Sequence, residues 1–408
     1  MKQFLLLIFS ALVFGGCSSL DEKPYEQTLC RLEVQIEMPQ ATASVQGVVM
    51  EVVARDQINQ NEYRSKTDAQ GLAQFLMPQG LYRLSLSERL PSGDRFNGVV
   101  EQVRLDESSK QVTMELIPLG RSSIIIKEMY FGGCPQTPLE GRLQNDQYII
   151  LHNNDSQTQY LDGLCFGCAD PYTSASTQNT WVEKTPEGNL VFQDFVPIVE
   201  AVWQFPGSGR DFALQAGEDA VLVIKGAVDF TQEFPLSVNL NQSDYFVCHS
   251  RLHYANEKQH ITPGDQIRGD HILSVLKKTG TANAFVVAIQ SPAVVIFRPD
   301  DPQFDLKAYM NDDGRCLATV PGGRSQCVKV PWSWVLDGVE VFYSIKNSKR
   351  LAPKIDAGAF LFSGPGLGHS LHRKLDEDMS ADLGYEVYCD TNNSEVDFYE
   401  RPTASLHK

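Results

Sequence analysis

Positive charge is in short supply in this chain of 408 residues. Against 51 Asp and Glu stand 35 Lys and Arg, a formal net charge of −16 at pH 7. A nucleic-acid binder neutralises phosphates with clustered Lys and Arg. No such cluster occurs, which excludes nucleic acid as a partner. Long apolar runs are equally scarce. The run from Phe4 to Phe14 falls short of the roughly 20 apolar residues that cross a bilayer, and no later run approaches that length. The whole chain still holds 42% apolar and only 21% charged residues, enough to bury a sizeable core.

The N-terminus, MKQFLLLIFSALVFGGC, has a cation at Lys2, an apolar centre and small residues before Cys17. This is the pattern of a signal peptide over residues 1–16. Phe14-Gly15-Gly16-Cys17 resembles a bacterial lipobox, with Phe14 where Leu is usual. The alternative is an ordinary cleaved signal with a structural Cys17. The resemblance implies diacylation of Cys17, and two or three acyl chains anchor a protein stably where one is marginal. The polar tether over 17–29 carries Asp21 and Glu22 close behind the cysteine. It resembles the acidic export tag of Bacteroidota surface lipoproteins, although a solvated linker reads the same way. Outer-membrane anchoring at the cell surface is the expectation, and the periplasmic leaflet the alternative.

Beyond Cys17 lie eight cysteines: Cys30, Cys134, Cys165, Cys168, Cys248, Cys316, Cys327 and Cys389. An even set suits disulfides in an oxidising compartment, with pairing that sequence does not give. Cys316 and Cys327 bracket a Gly-rich loop and are the expected local bridge.

Residues 30–118 read as strands. CRLEVQIEM and KQVTMELIPL alternate apolar and polar positions, the period of half-buried strands. In TDAQGLAQFLMPQGLYRLSLS, Asp68 and Gly71 turn the chain, Phe75 fills the core, and Gly80 leads into Tyr82, Leu84 and Leu86. This arrangement resembles the carboxypeptidase regulatory-like, or transthyretin-like, β-sandwich, which implies a spacer or binding platform. After the hinge PLGRSS, Ile124 to Ile126 suit a buried strand and not an amphipathic helix. In DQYIILHNNDSQTQYLDG, an apolar strand breaks at the turn formers Asn153 to Ser156.

Asp146, Tyr148, Ile149, Leu151, Asn153 and Leu161-Asp162-Gly163 resemble the opening of the lamin-tail domain, an immunoglobulin-like sandwich, with Ile150 replacing its usual Glu. Ser370, Arg373, Asp390, Asn392, Asn393, Asp397 and Phe398 resemble its closing motif. The order of these pieces, with the lipobox and the front module, is similar to an uncharacterised Bacteroidota lipoprotein family. That resemblance implies a fold and no known reaction. The expected fold is all-β: two β-sandwich domains in tandem, the second (122–402) lamin-tail-like with insertions near 168–200 and 240–280. Loops this long are usually functional or disordered, so QFPGSGRDF and YFVCHSRLHYANEKQH are the first places to look for recognition.

DTNNSEVDFYERP (390–402) begins like a calcium loop but lacks the central Gly and the closing bidentate acid. A capped turn seating Phe398 is the stronger reading. Cys165-Phe166-Gly167-Cys168 lacks both the βαβ context of a redox pair and a second ligand pair for zinc, which leaves a disulfide. His249 and His253 would share a face if helical, and with Cys248 and His260 could hold a metal or haem. A loop whose histidines bind nothing is the simpler alternative. Arg373 and Lys374 would repel a cation from His369 and His372. Gly368-His369-Ser370 lacks the last Gly of a nucleophile elbow. GPGLG (364–368) and PGGRS (321–325) open no helix and read as turns rather than phosphate loops. Trp181, Trp203, Trp332 and Trp334 are candidate ligand-stacking rings, with core packing the alternative.

These readings point to a non-catalytic, membrane-anchored binding protein with no cofactor. It would recognise an unidentified ligand or protein through loops on a rigid scaffold, with nutrient uptake beside an outer-membrane barrel the expected setting. The alternatives are a secreted metal-dependent hydrolase with its site in the inserted loops, or a metal or haem carrier.

Overall fold

The computed structural model describes residues 28–38, 48–89, 95–119, 122–137, 139–175, 179–186, 190–319 and 325–407. The expected signal peptide, Cys17 and most of the expected tether therefore lie outside the described residues, as does most of PGGRS. Strand dominates, and helix is confined to short segments, so the fold is all-β and sandwich-like.

The alternation in the first hundred residues becomes one seven-stranded sheet. Its order is Glu62–Lys66, Glu51–Asp56, Gly80–Arg89, Arg95–Leu105, Ser109–Leu119, Leu29–Glu37, Leu72–Pro78. Neighbours run antiparallel except Leu29–Glu37 beside Ser109–Leu119. The two edges meet, where the Ser65 hydroxyl donates to Gln74 O at 2.7 Å, so the sheet curls around its own core. Leu32, Val34, Phe75, Tyr82, Leu84, Phe96 and Met114 fill it. These are the inward positions of the period-two pattern.

From Ile124 onward two sheets face each other. The first has the order Phe246–Val247, Asp219–Val223, Tyr148–Asn153, Ile124–Tyr130, Ser370–Arg373, Phe398–Arg401. The second runs Cys316–Ala318, Gln326–Pro331, Phe195–Gln204, Cys165–Ala169, Ala293–Phe297, Val335–Phe342, Phe360–Leu361, with Ser274–Lys278 also paired to Phe195–Gln204. Ile124, Ile126, Ile149 and Leu151 pack between the sheets against Phe166, Trp203, Val294 and Val339. Burying each such aliphatic chain contributes about 1.5–3 kcal/mol.

Both outer faces are covered as well. Tyr130, Tyr148 and Ile150 lie under Val238, Leu240 and Ala404, while Ile198, Val295 and Phe297 lie under Leu306, Met310, Leu351 and Ile355. Burial on two faces explains why Ile124 to Ile126, Tyr148 to Leu151 and Ala293 to Phe297 are apolar without alternation.

The insertions are less free than their length suggested. Residues near 168–200 form a hairpin, Val182–Lys184 with Leu190–Phe192. Those near 240–280 supply Tyr245 and Ile267 to an outer core and the strand Ser274–Lys278. QFPGSGRDF is likewise fastened, because the Asp162 carboxylate accepts from the N–H groups of Gly209 and Asp211 at 2.8 Å and of Phe212 at 2.9 Å. Against the raising effect of burial, those donors hold the Asp162 carboxyl below its ordinary value.

Candidate functional site

The stretch 390–398 is a turn built around one buried cation. Asn392 takes a left-handed φ of 49°, which Asn tolerates better than most residues. Asn393 caps the short helix Ser394–Asp397, its side chain accepting from the Glu395 N–H at 3.2 Å. Arg373 lies in the interior with Asp337, Asp390 and Asp397 around it. Its Nη2 is 2.6 Å from Asp337, and its Nη1 is 3.5 Å from Asp390 and 3.4 Å from Asp397. Asp397 also accepts from the Thr391 N–H at 2.8 Å and the Thr391 hydroxyl at 2.7 Å. Burial pushes the Asp337 and Asp397 carboxyls up, with Arg373 pulling against it. Of the residues that suggested calcium, Asp390 faces this guanidinium and accepts from the Ser122 N–H at 3.1 Å. The Ser394 hydroxyl donates to Asp356 at 2.6 Å, and the Asn392 amide donates to Lys354 O at 2.9 Å. Phe398 is buried beneath the Arg373 guanidinium at 4.6 Å. The capped-turn reading holds.

The carbonyls of the same turn face the seven-stranded sheet. Arg95 donates to Asp390 O, and the Asn97 amide donates to Thr391 O and, at 3.1 Å, to Asn392 O. Arg83 donates to Ala357 O and pairs with Glu395 at 2.6 Å and Glu101 at 3.0 Å. Arg55 also pairs with Glu395.

Beside this contact opens a cleft of about 590 Å³. Arg55, Ile58, Leu81 and Arg83 come from the sheet, while Val182, Leu190, Phe342, Ile345 and Leu361 come from the larger body. The volume lies within the ordinary range for small-ligand sites, about 300–1,000 Å³. Several apolar side chains are left open to solvent in it: Ile58 is 68% exposed, Leu361 46% and Ile345 41%. Among the described residues its lining contains no His, Cys or Asp. Its polar lining includes Ser348, the carboxylates Glu101 and Glu395, and the cations Arg55, Arg83, Lys184, Lys346 and Lys349, groups that can fix the polar end of a ligand. The first insertion supplies one wall. Sequence could not have found the cleft, since its halves are brought together by contacts such as Arg83–Glu395, 312 positions apart.

The residues singled out by sequence lie elsewhere. Trp203 is fully buried and Trp181 nearly so, its indole N–H donating to Asp170 at 2.7 Å. Both are core side chains, which corrects the expectation of stacking rings. Trp334 is half-buried against Phe304 and Tyr309, at 5.1 and 4.9 Å between ring centres. Trp332 is 39% exposed, with the Lys354 ammonium 3.4 Å over its ring. None of the four lines the cleft.

His249 lies in irregular chain and His253 in a turn, neither in a helix. His249 stacks on His260 at 4.6 Å, and His253 Nδ1 lies 2.9 Å from the Ser250 hydroxyl. Burial lowers the His260 pKa to about 4, with His249 adding to the effect. Among the described residues no group of three or more His, Cys, Asp or Glu is placed to hold a metal ion.

All eight described cysteines are free thiols, contrary to the expected disulfides. Cys165 and Cys168 belong to different hydrophobic cores on opposite sides of their strand. Cys316 stands opposite Val328 and Cys327 opposite Leu317, so the register offsets that pair and alternation turns the two thiols to opposite faces. Ser370 is buried within its strand and offers no exposed nucleophile. Near it, Glu400 accepts from Ser363 at 2.7 Å and lies 2.6 Å from His369 Nδ1. The acid thus sits between serine and histidine, whereas a catalytic triad needs the histidine in the middle.

One cluster was missed. Glu200 Oε2, Trp203 Nε1, Tyr254 Oη and Thr279 Oγ1 are buried with no hydrogen-bond partner among the described residues. Trp203 stacks on Tyr254 at 5.8 Å, and the Thr279 N–H donates to Glu200 O at 3.0 Å. Burial raises the Glu200 carboxyl, with Lys278 opposing. The only local signal is the left-handed φ of 68° at Glu200, which sequence does not reveal.

Residues 215–405 match the family described as "Protein of unknown function (DUF4876)". The whole fold is similar to the crystal structure of a DUF4876 family protein from Bacteroides thetaiotaomicron, at 21% identity and a TM-score of 0.56, covering 91% of this chain and 94% of that one. At that identity the likeness speaks for the fold alone. A DUF3823 family protein from Parabacteroides merdae matches at 12% identity over 49% of this chain and 83% of its own, with a TM-score of 0.18 that supports no argument. No curated protein matches.

Proposed function

We propose that the chain is a non-catalytic binding protein, held at the outer membrane through Cys17, whose recognition site is the cleft between the seven-stranded sheet and the larger body. In this reading the front unit is a carboxypeptidase-regulatory-like platform, the rest is a lamin-tail-like sandwich, and an outer-membrane barrel is the natural companion for uptake. The observation that carries the proposal is the cleft itself: about 590 Å³, part apolar and open, with Glu395 of the turn at 390–397 in its lining. Concave, partly apolar sites with a few fixed polar groups are where small ligands bind.

The test is titration of the purified mature protein with N-phenyl-1-naphthylamine, an uncharged probe that fluoresces in apolar surroundings. One saturable site, lost when Leu361→Trp fills the cleft, is the expected result. Absence of a saturable site, or one indifferent to that substitution, contradicts the proposal. Labelling with an alkyne-bearing fatty acid, abolished by Cys17→Ala, tests the anchor separately.

A further inference from the structure

The cleft has an electrostatic character opposite to that of the chain around it. Its lining carries five cations, Arg55, Arg83, Lys184, Lys346 and Lys349, against two carboxylates, Glu101 and Glu395, in a protein of net charge −16. The pairing within this group is uneven. Glu395 is shared by Arg55 and Arg83, and Glu101 is held by Arg83 at 3.0 Å. Lys349 is buried and satisfied by Glu340 at 2.8 Å and by the carbonyls of Asp356 and Gly358. Both carboxylates are thus already neutralised by guanidinium groups. Lys184 and Lys346 remain, exposed and at the same cleft, with no ion pair among the described residues. Beside them lie the open apolar side chains of Ile345 and Leu361.

We infer that the ligand of this cleft is a small organic anion with an apolar body, its acidic group met by Lys184 and Lys346 and its body laid along Leu190, Phe342, Ile345 and Leu361. Cations in a concave, low-dielectric wall attract an anion more strongly than the same charges on an open surface. A cleft whose lining carries an excess of positive charge in an otherwise acidic chain suits that ligand class better than a cationic or neutral one. The inference rests on the cleft being a binding site at all, and the experiment separates the two claims.

8-Anilinonaphthalene-1-sulfonate and N-phenyl-1-naphthylamine share one aromatic body and differ by the sulfonate. Both are titrated into the mature protein and into the double variant Lys184→Gln/Lys346→Gln. The sulfonate probe is expected to bind more tightly than the neutral one and to weaken about fivefold in the variant, the combined size of two partly screened ion pairs, while the neutral probe is unchanged. Equal binding of the two probes, or a sulfonate affinity untouched by the double substitution, overturns the anion assignment and leaves the cleft a binding site. Failure of both probes to bind saturably overturns both.

Discussion

Arg373 and Arg83 both hold carboxylates from the segment 390–397, yet only one of the two arginines lies beside space for a ligand. Arg373 is 1% exposed and its partners Asp390 and Asp397 equally so. Arg83 and Glu395 keep side-chain exposures of 15% and 18% at the edge of the cleft. Removing one partner from a buried charge cluster leaves uncompensated charge and is strongly destabilising, whereas pairs in contact with water are worth little. The same residue types within eight positions therefore do two jobs: the buried end fixes the turn, and the wetter end lines a recognition surface. Burial, not composition, divides them.

The sharpest way to break this comparison is Arg373→Met, expected to cost about 3–5 kcal/mol of stability in denaturant unfolding. The loss should be greater at pH 8 than at pH 5.5. Asp337 and Asp397 have folded-state pKa values raised by burial, so their contribution is most favourable below the unfolded carboxyl pKa and is lost as pH rises through the folded values. Without the guanidinium that loss deepens. A pH-independent cost would place the cluster outside the core.

Asn97→Ala comes next. It removes the amide that serves Thr391 O and Asn392 O, and buried polar groups left unpaired cost about 1–3 kcal/mol. Because the bond joins the two bodies, proteolysis near 119–122 should accelerate along with the melt. Glu395→Gln, at the wetter end, should cost only about 0.2–1 kcal/mol. It also releases Arg55 and Arg83, so the sulfonate probe should bind more tightly. A cost as large as that of Arg373→Met would erase the distinction. Similar in stability cost but without effect on the cleft is Trp332→Ala, where an exposed cation–π contact with Lys354 is worth about 0.5–1 kcal/mol. Its removal should leave binding in the cleft unchanged, since the ring does not line it.

What sequence revealed follows from how local its causes are. Alternation in CRLEVQIEM and KQVTMELIPL, unbroken apolar runs such as YIIL, and the turn chemistry of Asn392 and Asn393 all act over a few residues, and the structure bears each out. The cleft arises from contacts between distant segments, and no window of sequence contains them. The cysteines were misread because spacing says nothing of register. Cys316 and Cys327 sit on paired strands yet face opposite ways, and Cys165 and Cys168 point into two cores because the sheet that carries them is covered on both sides. His249 and His253 would have met on a helix, but turns let His260 take that place. The tryptophans were chosen by residue type, and burial places Trp181 and Trp203 in the core.

Native-state hydrogen exchange over residues 390–397 tests the central claim most directly. The Thr391 and Ser394 amides donate to the buried carboxylates of Asp397 and Asp356 at 2.8 Å. They should exchange as slowly as the strand Ile124–Tyr130, with or without added calcium. Exchange at the rate of an open loop, or protection that appears only when calcium is supplied, would show that this segment is a ligand-binding loop and not the clamp that shapes the cleft.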